Sequence, residues 1–156
     1  KELDFLARVA EAIPKESGVT FAFVGEGPYL PELKKRLKGA VFTGVLRGQE
    51  LSEAYASADL FVFPSTTDTY GNVVVEALAS GLPVLVSNQG GPGELLRDTR
   101  DGKVLKAGDL PGWVAAILGY AKHREPMELR RERRQRCIQG REWSDAFRRF
   151  WDNGLM

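Results

Sequence analysis

The chain has 156 residues with 22 basic and 21 acidic side chains, a net charge of +1, and 43% apolar against 28% charged residues. This is the make-up of one globular domain long enough to bury a core, and its balanced charge gives no case for a nucleic-acid partner. No apolar run approaches the length that spans a bilayer, and the single cysteine, Cys137, excludes a disulfide framework and fits a reducing, cytoplasmic compartment.

Leu3, Leu6, Ala7, Ala10 and Ile13 recur at helical spacing until Pro14 stops the run. Val19 to Val24 predicts a strand, closed by Gly25-Glu26-Gly27-Pro28. Leu30 to Leu37 predicts a second helix ended by Gly39, and Ala40-Val41-Phe42 a second strand. Glu50 to Ser57 predicts a third helix, and Asp59 to Phe63 a continuous apolar strand buried on both faces. A helix after Gly71 stops at Gly81, a strand follows over Pro83 to Ser87 and another near Lys103 to Lys106, and helices fill the chain from about Leu110. Val73-Val74-Val75 is β-branched and locally favours a strand. Glu76 to Ser80, with Gly81 and Pro83 beyond, outweighs it in favour of a helix. Strands alternating with helices at this spacing predict a Rossmann-like, doubly wound parallel α/β sheet, with ligands at the carboxyl ends of its strands.

The stretch Pro64 to Val84, P-S-T-T-D-T-Y-G-N-V-V-V-E-A-L-A-S-G-L-P-V, follows such a strand end. It sets two acids, Asp68 and Glu76, around the turn Tyr70-Gly71-Asn72. The helix start offers N–H groups and a positive dipole end to phosphate. The carboxylates can accept hydrogen bonds from ribose or sugar hydroxyls. Together they point to a nucleotide-sugar site.

The same stretch resembles the donor-site signature of the retaining glycosyltransferases of sequence family 4 (group 1), P-S-x-x-E-x-F-G-x-x-x-x-E-A-x-A-x-G-x-P-V. The chain departs at the first acid, where Asp68 stands for glutamate, and at the aromatic, where Tyr70 stands for phenylalanine. The resemblance implies the C-terminal, donor-binding half of a two-domain GT-B fold. Residues 1–142 would bind the donor. Residues 143–156, with Trp143, Phe147, Phe150 and Trp151, would form a helix crossing to an N-terminal acceptor domain that lies outside this chain. Asp68 and Glu76 are the implied catalytic-site acids, Asp68 meeting the donor sugar and Glu76 the ribose. Gly71, Asn72 and Val73, the latter two through backbone N–H groups, would meet the diphosphate beside Tyr70, and Val45 and Leu46 would line the base. Lys1 would neutralise the diphosphate, or else is simply a solvated chain end. Gly25 and Gly27 form either a tight turn or a loop beside the donor, and Arg47 either a phosphate contact or an exposed loop side chain. Gly90-Gly91-Pro92-Gly93-Glu94 matches the family's G-G-x-x-E helix start and serves mainly as architecture, or borders the acceptor or sugar.

The implied activity is transfer of a hexose from a nucleoside-diphosphate sugar, UDP- or GDP-linked, to the hydroxyl of a glycan or lipid-linked acceptor. No cofactor is expected. No zinc spacing, D-x-D, P-loop or nucleophile elbow occurs, so the expected plan is metal-free. Lysine, arginine and helix dipole would stabilise the departing nucleotide, and this half alone would not turn over. Two alternatives stay open: a nucleotide-sugar epimerase of the same fold, and a non-catalytic donor-like domain serving in assembly. Five of the seven residues from Arg130 to Arg136 are arginine. They read as a solvated helix face, or as a peripheral contact with an anionic membrane or a lipid-linked acceptor. His123, among charges, is expected at the surface.

Overall fold

The computed structural model describes residues 2–96, 98–123 and 125–138. Lys1 and the expected closing helix with Trp143, Phe147, Phe150 and Trp151 lie outside the described residues. Among the described residues, five strands and six α-helices follow the predicted order. They are α1 (Leu3–Ala12), β1 (Ala22–Val24), α2 (Leu30–Arg36), β2 (Val41–Gly44), α3 (Gly48–Ser57) and β3 (Phe61–Phe63), then α4 (Asn72–Ala79), β4 (Val84–Ser87), β5 (Gly102–Leu105), α5 (Leu110–Lys122) and α6 (Met127–Ile138).

All strand pairs are parallel, in two ladders, β1-β2 and β3-β4-β5. Helix α1 joins the ladders because it carries two apolar rows. Phe5, Val9 and Ile13 pack with Leu85 of β4 and with Trp113, Ala116 and Ile117 of α5. Ala7, one row round, packs with Leu33 of α2 and Leu37 just past its end, beside Phe23 and Phe42. This is the i, i+4 stacking of a helix, used twice.

Only β4 is buried at every residue; of β3, Phe63 is buried while Phe61 and Val62 are half-buried. The expectation of a β3 buried on both faces is therefore corrected. The reason is position: β4 is flanked by strands on both edges, whereas β3 pairs on one edge only. The β1-β2 pair is covered on one side, where Phe23 stacks on Phe42, and Val24 and Val41 stay exposed on the other.

Helix α4 forms despite its three valines, because Val74, Ala77 and Leu78 enter the main core. It closes in a Schellman turn, Leu82 N–H to Ala77 carbonyl and Gly81 N–H to Leu78 carbonyl, with Gly81 at φ +83°.

Against α4 lies α6, and here the solvated arginine face needs correction. Arg133 is buried and donates to the carbonyls of Gly81 and Arg100 and to both oxygens of Glu125. Arg130 donates to the Ala58 carbonyl (2.9 Å) at the end of α3, and Arg136 to Asp101 (2.9 Å). Arg131 and Arg134 alone of the five are exposed. Arg130 and Arg133 satisfy carbonyls that helix ends leave open and Arg136 pairs with an acid, roles that a charge run in sequence does not display.

Candidate functional site

The carboxyl ends of β1 and β3 both meet the start of α1. Tyr29, in the loop after β1, donates to Asp4 (3.0 Å), and Thr66, just past β3, donates to Glu2 (3.1 Å). The end of β2 joins them through the Gly25 N–H, which donates to the Gly44 carbonyl (2.7 Å). The predicted site residues 25–27, 45–47 and 68–76 thus lie along one edge of the molecule, where an open parallel sheet places ligands.

Gly71 turns the chain into α4. It sits at φ +76°, and a Cβ there would stand 3.0 Å from the Pro92 ring. Both the left-handed backbone and the close approach call for glycine. At the helix start so formed, the Val74 N–H bonds back to the Gly71 carbonyl (2.9 Å). Among the described residues the N–H groups of Asn72 and Val73 have no acceptor. Free first-turn amides at the positive end of a helix dipole are suited to an anion.

A buried serine and a half-buried tyrosine hold the two acids. Ser65, fully buried, donates a short hydrogen bond to Asp68 Oδ2. Tyr55, on α3, donates to Glu76 Oε2 (3.0 Å) and packs its ring against Phe61. Burial, then the Glu76 carboxylate, pushes the Tyr55 hydroxyl well above the ordinary tyrosine range, so it remains a donor. Glu76 itself is exposed and Asp68 half-buried, leaving carboxylate oxygens for outside donors. Neither Ser65 nor Tyr55 stood out in the sequence beyond its motif or helix position.

Glycines at 90 and 91 complete the loop's support. The Gly91 N–H donates to the Asp68 carbonyl (3.0 Å). A Cβ on Gly91 would fall 1.8 Å from the Thr69 carbonyl oxygen, and one on Gly90 2.8 Å from that of Asp68. The expected helix after them is a short 3₁₀ turn, Pro92–Leu95. These glycines act as architecture, pressed directly against the Asp68 loop.

The remaining predicted residues are placed but less engaged. Gly25 and Gly27 form the open turn after β1, and nothing lies within 4 Å of a Cβ at either. Val45 is half exposed, and Arg47 opens α3 with no hydrogen bond or ion pair among the described residues. Tyr70 is exposed. A separate cavity, lined by Asp59, Tyr120, Ala121, His123, Glu125 and Arg130, lies at the opposite end, before β3 begins. His123 is exposed there, as expected. Among the described residues no group of three or more His, Cys, Asp or Glu could hold a metal ion, and no helix is long and apolar enough to cross a membrane.

The chain matches the family "Glycosyl transferases group 1" over residues 1–123. It belongs to that family. It is 40% identical over 134 residues to a sulfoquinovosyl transferase of Arabidopsis thaliana, covering 83% of this chain and 26% of that protein. It is 37% identical over 147 residues to a GDP-mannose-dependent alpha-mannosyltransferase of Mycobacterium tuberculosis, covering 92% and 36%. The chain thus spans between about a quarter and somewhat over a third of these relatives. The pneumococcal O-GlcNAc transferase GtfA in complex with UDP and GlcNAc shares the fold at a TM-score of 0.77 and 19% identity, covering 98% of this chain and 32% of that one. Anabaena HepE in complex with UDP and glucose does so at 0.76 and 20%, covering 99% and 45%. The α/β architecture is that of a GT-B glycosyltransferase domain.

Proposed function

We propose that the chain is the donor-binding part of a retaining glycosyltransferase that moves a hexose from a UDP- or GDP-linked sugar to an acceptor hydroxyl. The observation that carries this is the start of α4: two amides with no acceptor among the described residues, after a left-handed glycine, flanked by two acids that the Ser65 and Tyr55 hydroxyls hold in place. The Asn72 and Val73 amides receive the diphosphate and stabilise its charge as the glycosidic bond breaks. Glu76 accepts from the ribose hydroxyls and Asp68 from hydroxyls of the sugar. Val45 and Leu46 border the base, with Gly25, Gly27 and Tyr70 along the same edge, and Arg47 supplies positive charge near the phosphates.

The relatives support both nucleotides. One curated relative is named for GDP-mannose, and two structural neighbours carry UDP. The reaction needs neither cofactor nor metal, because amides and cations take the charge that a bridging ion would otherwise neutralise. The acceptor, a glycan or a lipid-linked sugar, is met through an N-terminal domain outside this chain, so the part alone is inactive. The protein acts in the cytoplasm. For a peripheral contact with anionic lipid, the arginine run contributes Arg131 and Arg134.

The test is a product assay of the full-length protein with UDP- and GDP-sugars, an acceptor panel and a chelator. A glycosylated product of unchanged anomeric configuration, formed with the chelator present, is expected. Epimerised donor without transfer would contradict the proposal, as would full dependence on added metal for its metal-free part.

A further inference from the structure

We propose that Tyr55 is a positioning residue that fixes the Glu76 carboxylate for the two ribose hydroxyls of the donor nucleotide. The inference rests on the donor-site role given to Glu76 above, and deepens it by naming what sets that side chain's geometry.

Glu76 is exposed on the second turn of α4, where a glutamate would ordinarily sample several rotamers in water. One of its oxygens is instead taken by the hydroxyl of a packed aromatic side chain. The half-buried Tyr55 ring packs against the main core and against Phe61, at 5.9 Å between ring centroids. Its hydroxyl lies 3.0 Å from Glu76 Oε2 and 3.4 Å from the Val73 carbonyl. The single phenolic proton goes to the nearer, charged acceptor, which makes the stronger bond. Its raised pKa, caused first by burial and then by Glu76, keeps that proton in place. A bond to Oε2 leaves Oε1 and the outer lone pair of Oε2 for vicinal hydroxyls, which pair with a carboxylate only when its plane is set.

There is also a reason for the bond to come from α3. This helix begins at Gly48, directly after the Val45-Leu46-Arg47 loop, whose first two residues are assigned to the base. The Tyr55 hydroxyl therefore links the element that carries the base loop to the carboxylate that reads the sugar next to the base.

The ribose hydroxyls provide a test that distinguishes positioning from mere packing. Full-length wild-type protein and Tyr55→Phe are titrated with UDP and GDP, and with their 2′,3′-dideoxy forms. Phenylalanine keeps the ring and its core contacts, and dideoxynucleotide binding reports in the same experiment that the site is folded. The wild type should prefer the ribonucleotide. Tyr55→Phe should lose about five- to tenfold in affinity for it, as expected for the loss of one hydrogen bond of ordinary net strength, and keep its affinity for the dideoxy form. An unaltered ribose preference in Tyr55→Phe overturns the inference, as does an equal loss for both ligands, which marks a structural role only. If the wild type binds neither nucleotide, or binds both forms equally, the ribose role of Glu76 fails first and the inference falls with it.

Discussion

Two segments of this chain are dense in polar residues, and they use them in opposite directions. Around the start of α4, Asn72 and Glu76 stay exposed and two amides have no acceptor among the described residues, while Ser65 and Tyr55 reach in from buried or packed positions to hold Asp68 and Glu76. Along α6 the charges turn inward, and Arg130, Arg133 and Arg136 spend their N–H groups on carbonyls and acids of the protein itself. The loop keeps hydrogen-bonding capacity for a ligand; the helix has used most of its own. Charge in a sequence therefore says little about binding until its partners are known.

That contrast predicts its largest effect at Arg133. Arg133→Met leaves Glu125 and the Gly81 and Arg100 carbonyls without their donor. Breaking a buried pair this way should cost about 3–5 kcal/mol, whereas Arg131→Ala should change stability by no more than about 0.5 kcal/mol. Urea unfolding of the two variants checks the pair. Next comes Gly91→Ala, whose Cβ would meet the Thr69 carbonyl. Displacing that backbone should cost about 1–3 kcal/mol and abolish measurable nucleotide binding. Unimpaired binding would show that the Gly90-Gly91 contact does not support the site. Ser65→Ala removes the donor to Asp68 and should cost about 1 kcal/mol, with a lower kcat in the full-length enzyme.

The smallest effect concerns pH. An unfolded tyrosine titrates near 10, and the folded Tyr55 titrates higher. The folded state therefore binds that proton more tightly, its contribution is complete below about pH 10, and stability is lost as the pH rises beyond. Tyr55→Phe should show a shallower alkaline decline than the wild type. Tyr120, raised mainly by burial, keeps part of the slope in both. Unfolding curves on either side of pH 10 would show equal slopes if Tyr55 does not contribute.

The fold was largely legible because its signals are local. Helical spacing up to Pro14, the apolar run before Pro64 and the Gly81 stop each lie within one element, and five strands and the helices between them formed where these signals place them. The helix over Val73-Val74-Val75 could be read from Glu76 onward despite its propensity. Apart from Ser65, three residues from the Asp68 it holds, the supports were not legible, because they are contacts between distant positions. Tyr55 reaches across 21 residues to Glu76, and Arg133 across 52 to Gly81. A tyrosine on a helix reads as packing and an arginine in a run reads as surface until tertiary structure supplies the partner. Gly91 is similar: a glycine pair announces a turn but not which backbone will press on it.

The central claim is that the start of α4 binds the diphosphate of a nucleotide and Glu76 its ribose. Calorimetric titration of the full-length protein with UDP, GDP and ADP, in chelator, beside Glu76→Ala, tests this most directly. The account predicts metal-independent binding of one nucleotide and a loss of about tenfold or more in the variant. Binding that Glu76→Ala leaves unchanged, or no binding by the wild type, would contradict it.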